Sequence, residues 1–355
     1  MPNFDQLPPI YFYLPQPFWP ADFPNSADEN WSGFGLGLYT WTIQTFLRLK
    51  AWDFPCQLVN HVPEEGIVFV HHNAFRARKT RLKPSRKLLL ICLKAEERPY
   101  PYAQLHLVQN PTEASAAKNR FYIPHWPQPG LIPRDPNRGD RFENIAFFGH
   151  CNNLAIELQY PSWPEKLASL GLHWHYVINQ NKWNDYHSLD NRWNNFQQID
   201  AIVAIRSFQS SHPYNNKPAT KLFNAWLAGV PALLGIESAY RFEGCHLEDY
   251  WEINTYEELI NSLQCLKSDK NLRQQLVTNG YSKAIQFTPE NISKKWQDFI
   301  LDIAVPSFYR WCNLPALRQS LLLQQQYLTH TVEKVQSKLK IIKPKNEAFL
   351  LSTTR

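Results

Sequence analysis

Two lysines four residues apart, Lys217 and Lys221, bracket Thr220 at the start of an apolar helical stretch that runs to Ala228. A helix start presents unpaired backbone N–H groups and the positive end of the helix dipole. With Thr220 as cap and two ammonium groups beside the first turn, the segment offers what a diphosphate needs. An ordinary capped helix with solvated lysines is the competing reading, and the residues alone leave both open. Gly229 ends the helix, and Pro231 leads into the apolar run Ala232-Leu233-Leu234.

Other candidates stand at the ends of apolar runs. Arg206 closes Ile199–Ile205, where a guanidinium could clamp a phosphate bidentately or pair with a carboxylate at a domain edge. Gly149 follows Asn144–Phe148 and permits close backbone approach. Asn152 and Asn153 could then cap the next helix as a second anion site; a plain strand-to-helix turn explains Gly149 equally. His71 and His72 end the run Ile67–Val70. Histidine titrates near neutral pH, so either could deprotonate a hydroxyl acceptor, although strand-end histidines are commonly structural. Asp28 and Glu29 compete as bases. They precede the spaced glycines Gly33, Gly35 and Gly37, which lack the last G-x-x-G step of a dinucleotide fingerprint, so a nicotinamide site is not expected. Those glycines either approach a ligand or form a packing loop between Trp31 and Trp41.

The elements that must hold these residues follow from hydrophobic patterning. Tyr11–Leu14, Ile67–His72, Leu88–Leu93 and Leu105–Val108 read as buried parallel strands, with a helix from Leu38 to Leu49. A Pro-rich passage from Pro124 to Pro136 interrupts them. Alternation then resumes with strands at 144–149, 174–178, 199–206 and 230–234, a mostly helical stretch at 153–170 broken near Pro161, and helices beyond Thr255. The pattern implies an α/β chain of two Rossmann-like, doubly wound parallel-sheet domains facing a cleft, with a C-terminal helical tail. The expected divisions are 1–130, 131–288, a crossing helix at 289–313 opened by Pro289, and a basic amphipathic tail at 314–355. Ligands of such folds sit beyond the carboxyl ends of the strands, here in the cleft between sheets.

Composition narrows the classes. At 355 residues the chain exceeds one core, and 44% apolar content rules out the disordered class. Six scattered cysteines form no CxxC pair, so no metal is expected, and single thiols suit a reducing compartment. The N-terminus carries Asp5 and no basic region, unlike a secretory signal, and no run of apolar residues spans a membrane. A cytoplasmic protein is the expectation. The net charge of +6 is concentrated in two places: Arg76–Lys87 carries +7 and the tail from Leu314 carries +5, which leaves −6 on the remainder. That distribution argues against a general nucleic-acid binder and for local attraction to an anionic ligand, lipid surface or partner. The tail also shows an apolar stripe through Leu314, Leu317, Leu321, Leu328, Val332, Val335, Leu339 and Ile342, stopped by Pro344. It could pack on the body, pair with another chain or lie on a membrane.

The Asn216–Leu234 passage resembles the donor-binding helix of GT-B glycosyltransferases, with its Lys-Pro-x-x-Lys-Leu and Ala-Gly-Val-Pro elements. Glu237–Glu243 then occupies the family's acidic loop. The outline, over roughly residues 8–312, is similar to a cyanobacterial-type group of family 1/4-like enzymes. The resemblance implies transfer of a sugar from a nucleotide-sugar donor to a glycan or lipid-linked acceptor, as in polysaccharide biosynthesis, without a metal or other cofactor. It also implies that Lys217, Lys221 and Arg206 hold the diphosphate and that Glu237 holds a ribose or sugar hydroxyl. Retaining members carry two glutamates separated by seven residues, whereas Glu237 and Glu243 are separated by five, so the stereochemistry does not carry over. A nucleotide-sugar epimerase and a non-catalytic sugar- or partner-binding protein on the same fold are the rival readings. Peripheral contact with the inner membrane face through Arg76–Lys87 or the tail, and an oligomer, are open.

Overall fold

The computed structural model describes residues 7–76, 82–179 and 191–352, with side chains of the last helix placed as far as Gln336. Residues 77–81, with three of the seven cations of the Arg76–Lys87 segment, lie outside the described residues.

Two wholly parallel sheets organise the chain. The first contains β1 (Ile10–Tyr13), β2 (Gln57–Val59), β3 (Gly66–His71), β4 (Leu88–Leu93), β5 (Leu105–Val108) and β6 (Arg120–Tyr122), in the order β2-β1-β3-β4-β5-β6. The second contains β7 (Asn144–His150), β8 (His173–Asn179), β9 (Ala201–Ala204), β10 (Ala232–Gly235) and β11 (Trp251–Ile253), in the order β11-β10-β9-β7-β8. Strands β3 and β4 pair from Gly66–Leu88 to His71–Leu93, and every residue of both is buried. Burial on both faces is why these strands read as continuous apolar runs instead of alternating ones. The strands β2, β6 and β11 give no such signal, being three residues long and at or near sheet edges.

The helix expected from Leu38 to Leu49 forms as α1 (Gly37–Tyr39) and α2 (Thr45–Lys50), joined by a π turn over Thr40–Gln44. The π turn is buried throughout, and its threonines bond backward: Thr40 Oγ1 donates to the Phe34 carbonyl at 2.8 Å. Two other expectations are corrected. His72 does not end a strand but begins α3 (His72–Arg76). The stretch 153–170 is mostly helical and broken at Pro161, as its pattern implies: 3-10 turns end at Asn153 and cover Ile156–Leu158, and α4 runs over Ser162–Ser169. The last helix, α11 (Ala316–Ser352), continues through Pro344 instead of stopping there.

Around the second sheet lie α5 (Thr220–Ala228), α6 (Ser238–Glu243), α7 (Tyr256–Ser268) and α8 (Lys270–Ala284). Then α9 (Pro289–Phe299) and α10 (Val305–Cys312) return to the first sheet. Trp296 of α9 packs at ring distances of 6.0 Å from Phe12, 5.7 Å from Phe69 and 6.0 Å from Trp41. The Pro-rich passage is fastened by Asp200, whose buried carboxylate accepts from Arg138 Nη2 at 2.6 Å, Arg134 Nε at 3.0 Å and the amides of Glu143 and Asn144 at 2.9 Å each. Burial works to raise the Asp200 carboxyl, but Arg138 and those amides outweigh it and hold it below the usual range.

Candidate active site

Helix α5 starts in the cleft, immediately after a loop that rests on the first domain. Its N-cap is Ala219, not Thr220. Thr220 occupies the first helical position, and its Oγ1 is buried without a partner. The far end matches the sequence reading: Gly229 takes the left-handed conformation at φ +70°, and the Val230 amide bonds back to the Ala225 carbonyl.

At the second position of α5, Lys221 reaches the end of β7, where Nζ donates to the Phe148 carbonyl at 2.9 Å and lies 5.2 Å from the Phe147 ring. Burial first, and the neighbouring Arg206 cation second, push its pKa down to about 8. Arg206, just past β9, donates from Nε to Glu237 Oε1 at 2.8 Å and from Nη1 to Asn153 Oδ1. Glu237 follows β10 and occupies the N-cap position of α6; its Oε2 is buried and unpaired. Burial holds its carboxyl above the ordinary range despite Arg206 and Lys221. Thus the carboxyl ends of β7, β9 and β10 bring Gly149, Asn153, Arg206, Lys221 and Glu237 into one cluster. Arg206 is committed to a carboxylate, the alternative that its sequence position left open. Asn153 belongs to a 3-10 turn and caps no helix.

Lys217 goes elsewhere. Its ammonium pairs with Glu96 of the first domain. Asn110, also from the first domain, donates to the Lys217 carbonyl and to Ser238 Oγ, both at 2.9 Å, and Gln109 donates to the Asn216 carbonyl at 2.9 Å. The loop before α5 therefore joins the two domains.

A cavity of about 140 Å³ lies between the domains. Gly35, Gly37, Thr40 and His125 line it from one side, and Gly149, Thr220, Lys221 and Asn224 from the other. Two helix starts meet there, at Gly37 and Thr220, and neither has a side-chain cap. Open amides and positive dipole ends on both walls, with Lys221 between, are the chemistry that an anion requires. Gly33 has a different task, because a Cβ there would fall 2.1 Å from the Trp31 ring.

Among the histidines, His71 is buried with Nδ1 accepting from the Asn73 amide at 3.2 Å and Nε2 unpaired. Burial, then His72 and His125, push its pKa down to about 3. Neither His71 nor His72 lines the cavity; His125, which sequence reasoning passed over, does. Its Nδ1 donates to the Trp126 carbonyl at 2.8 Å, which leaves Nε2 to carry the lone pair. Burial lowers its pKa, so the ring is neutral at physiological pH. The only sequence signal was its place inside Pro124-His125-Trp126-Pro127. The competing bases are engaged: Asp28 pairs with Arg48 at 2.6 Å, and Glu29 accepts from the Asn25 and Ser26 amides. Among the described residues no group of three or more His, Cys, Asp or Glu is placed to hold a metal ion.

No protein-family model matches the sequence, and no curated protein matches it. Solved structures do. HepE from Anabaena, in complex with UDP and glucose, is 12% identical over 83% of this chain and 100% of its own, with a TM-score of 0.50. Sucrose-phosphate synthase from Thermosynechococcus elongatus is 12% identical over 67% of this chain and 73% of its own, with a TM-score of 0.45. The likeness to HepE is one of fold: two parallel-sheet α/β domains in the GT-B arrangement, followed by C-terminal helices.

Proposed function

We propose that the chain is a glycosyltransferase that binds a nucleotide-sugar in the interdomain cavity and moves the sugar to a glycan or lipid-linked hydroxyl acceptor. The observation that carries this reading is the meeting of two uncapped helix starts with the buried ammonium of Lys221 in one cavity. Support comes also from HepE, a protein of the same fold solved with UDP and glucose.

Displacement at the anomeric carbon breaks its bond to the diphosphate oxygen and forms one to the acceptor oxygen. Negative charge gathers on the departing diphosphate, where Lys221, the α5 amides and Thr220 Oγ1 would oppose it. Arg206 acts one step removed, orienting Glu237 so that its unpaired Oε2 is available to a ribose or sugar hydroxyl. His125 Nε2 is the group placed to take the acceptor proton. The reading requires no metal or other cofactor. It includes a cytoplasmic placement with basic residues towards the inner membrane face.

Thermal unfolding against UDP, GDP, ADP, CDP and dTDP tests it. Binding to the folded chain alone raises stability by about 2.7 kcal/mol at a hundredfold excess over Kd. One nucleotide is expected to raise Tm in the wild type and to have no effect on Lys221→Ala. No response to any of the five removes the donor assignment. A response without donor turnover in the presence of acceptors leaves a binding protein, and turnover of donor alone to an isomer leaves an epimerase.

A further inference from the structure

Helix α11 meets the protein through a mixed face, with Leu323 packed on the core and the Tyr327 ring stacked on Tyr102 at 5.6 Å, and it carries a further apolar stripe outward. Gln319, only 4% exposed, donates to the Trp311 carbonyl at 2.7 Å, and Gln326 donates to the Ala103 carbonyl at 2.6 Å. Glu333 accepts from Lys118 at 2.9 Å and Arg120 at 2.6 Å. Facing away are Leu317, Leu321, Leu328, Val332 and Val335, between 51% and 73% exposed. Their spacings of three, four and seven put them in a single stripe. The contacts that hold α11 to the body thus leave this stripe open.

We propose that this stripe lies on an anionic lipid surface. Charge selects the occupant. Between Ala316 and Gln336 the one acid is Glu333, which is turned to the body and bound by two cations. Arg318 flanks the stripe and is exposed. Lys83 and Arg86, both exposed, stand across a groove from α11, and the sequence continues with Lys338, Lys340, Lys343 and Lys345. Cations beside an apolar helix face bind anionic headgroups while the apolar residues enter the acyl boundary. A second copy fits less well. A paired helical seam would take in Arg318 and Gln325 at positions that want apolar residues, and would set cation against cation. No helix of the described residues is long and apolar enough to cross a membrane, so α11 lies along the surface.

The inference rests on the peripheral placement proposed above and deepens it, while its test reads no sugar chemistry. The full chain is floated with vesicles of phosphatidylcholine alone and of equal parts phosphatidylcholine and phosphatidylglycerol. The same is done for the double variant Leu321→Gln, Leu328→Gln, whose Tm should match the wild type because both positions are exposed. Wild type is expected to float with the anionic vesicles and to be released by high salt. The double variant should lose about tenfold in apparent affinity. Absence of flotation, equal flotation of the variant, or equal binding to phosphatidylcholine alone overturns the proposal. So does a wild-type dimer, seen by analytical ultracentrifugation, that the variant dissociates. Failure here leaves the nucleotide response through Lys221 standing, so the two readings fall separately.

Discussion

A β-carbon on Gly149 would stand 2.9 Å from Nζ of Lys221. The ammonium reaches the Phe148 carbonyl only because residue 149 has no side chain, and Gly149 also takes a φ of +155°. A glycine at the end of one strand therefore fixes the position of a lysine 72 residues later.

Gly149→Ala is expected to displace Lys221 at little cost to the fold, because the displaced atom ends a flexible side chain. Backbone strain adds about 1–3 kcal/mol. The variant should unfold a few degrees below the wild type and show no nucleotide-dependent rise in Tm. A rise equal to wild type would show that the position of Lys221 beside β7 does not matter for binding.

Lys221 also gives a pH signature with a definite sign. Folding lowers its pKa from 10.5 to about 8. Between those values the unfolded chain holds a proton that the folded chain has released, so stability rises with pH across that window. The burial cost, on the order of 3 kcal/mol, is fully present below pH 8. A bound diphosphate restores the proton, so nucleotide affinity should fall above pH 8 with proton uptake on binding. Urea unfolding of wild type and Lys221→Met at pH 7.5 and 9.5 compares the two pH slopes through the unfolding midpoints. The wild type is expected to gain stability relative to the variant, and parallel slopes would assign the titration elsewhere.

What could be read in the sequence was what is local. Helix α5 and its C-terminal end were legible because its apolar spacing, Gly229 and Pro231 all lie within one short stretch. The long buried strands were legible for the same reason, and β2, β6 and β11 were not because three residues carry too little pattern. The pairing of Arg206 with Glu237 joins residues 31 apart that meet only because β9 and β10 are neighbours. Thr220 was the natural cap by residue type, yet the chain enters α5 one residue earlier, at Ala219. His125 was invisible because prolines on both sides made it look like linker, while its ring packs edge-on against Trp41 at 5.6 Å.

Lys217 and Lys221 are expected to separate in function. The 140 Å³ cavity is smaller than the roughly 300–1,000 Å³ of typical ligand pockets, so the proposed function requires the domains to part when a nucleotide-sugar enters. Lys217 belongs to the contact that parts, through Glu96. Lys217→Ala should keep the nucleotide response that Lys221→Ala loses. A double-mutant cycle with Glu96→Ala should give a coupling of at most about 1 kcal/mol, since Glu96 is half exposed. Loss of the nucleotide response in Lys217→Ala would return that lysine to the diphosphate.

The histidines divide in the same way. A general base must have its lone pair at the site and be unprotonated at working pH. His125 meets both conditions: Nδ1 is held by the Trp126 carbonyl, the ring lines the cavity, and burial sets its pKa below 6.5. His71 is neutral as well, with a pKa of about 3, but it is enclosed and does not line the cavity. His125→Gln is expected to lower kcat by about 10²–10⁴ while nucleotide still raises Tm. In the wild type, activity should fall only as pH drops below 6.5, and that acid limb should disappear in the variant. His71→Gln should act on stability and leave the acid limb in place. If the limb instead survives in His125→Gln and vanishes in His71→Gln, the proton is taken from the β3 side of the cleft and the assignment reverts to His71.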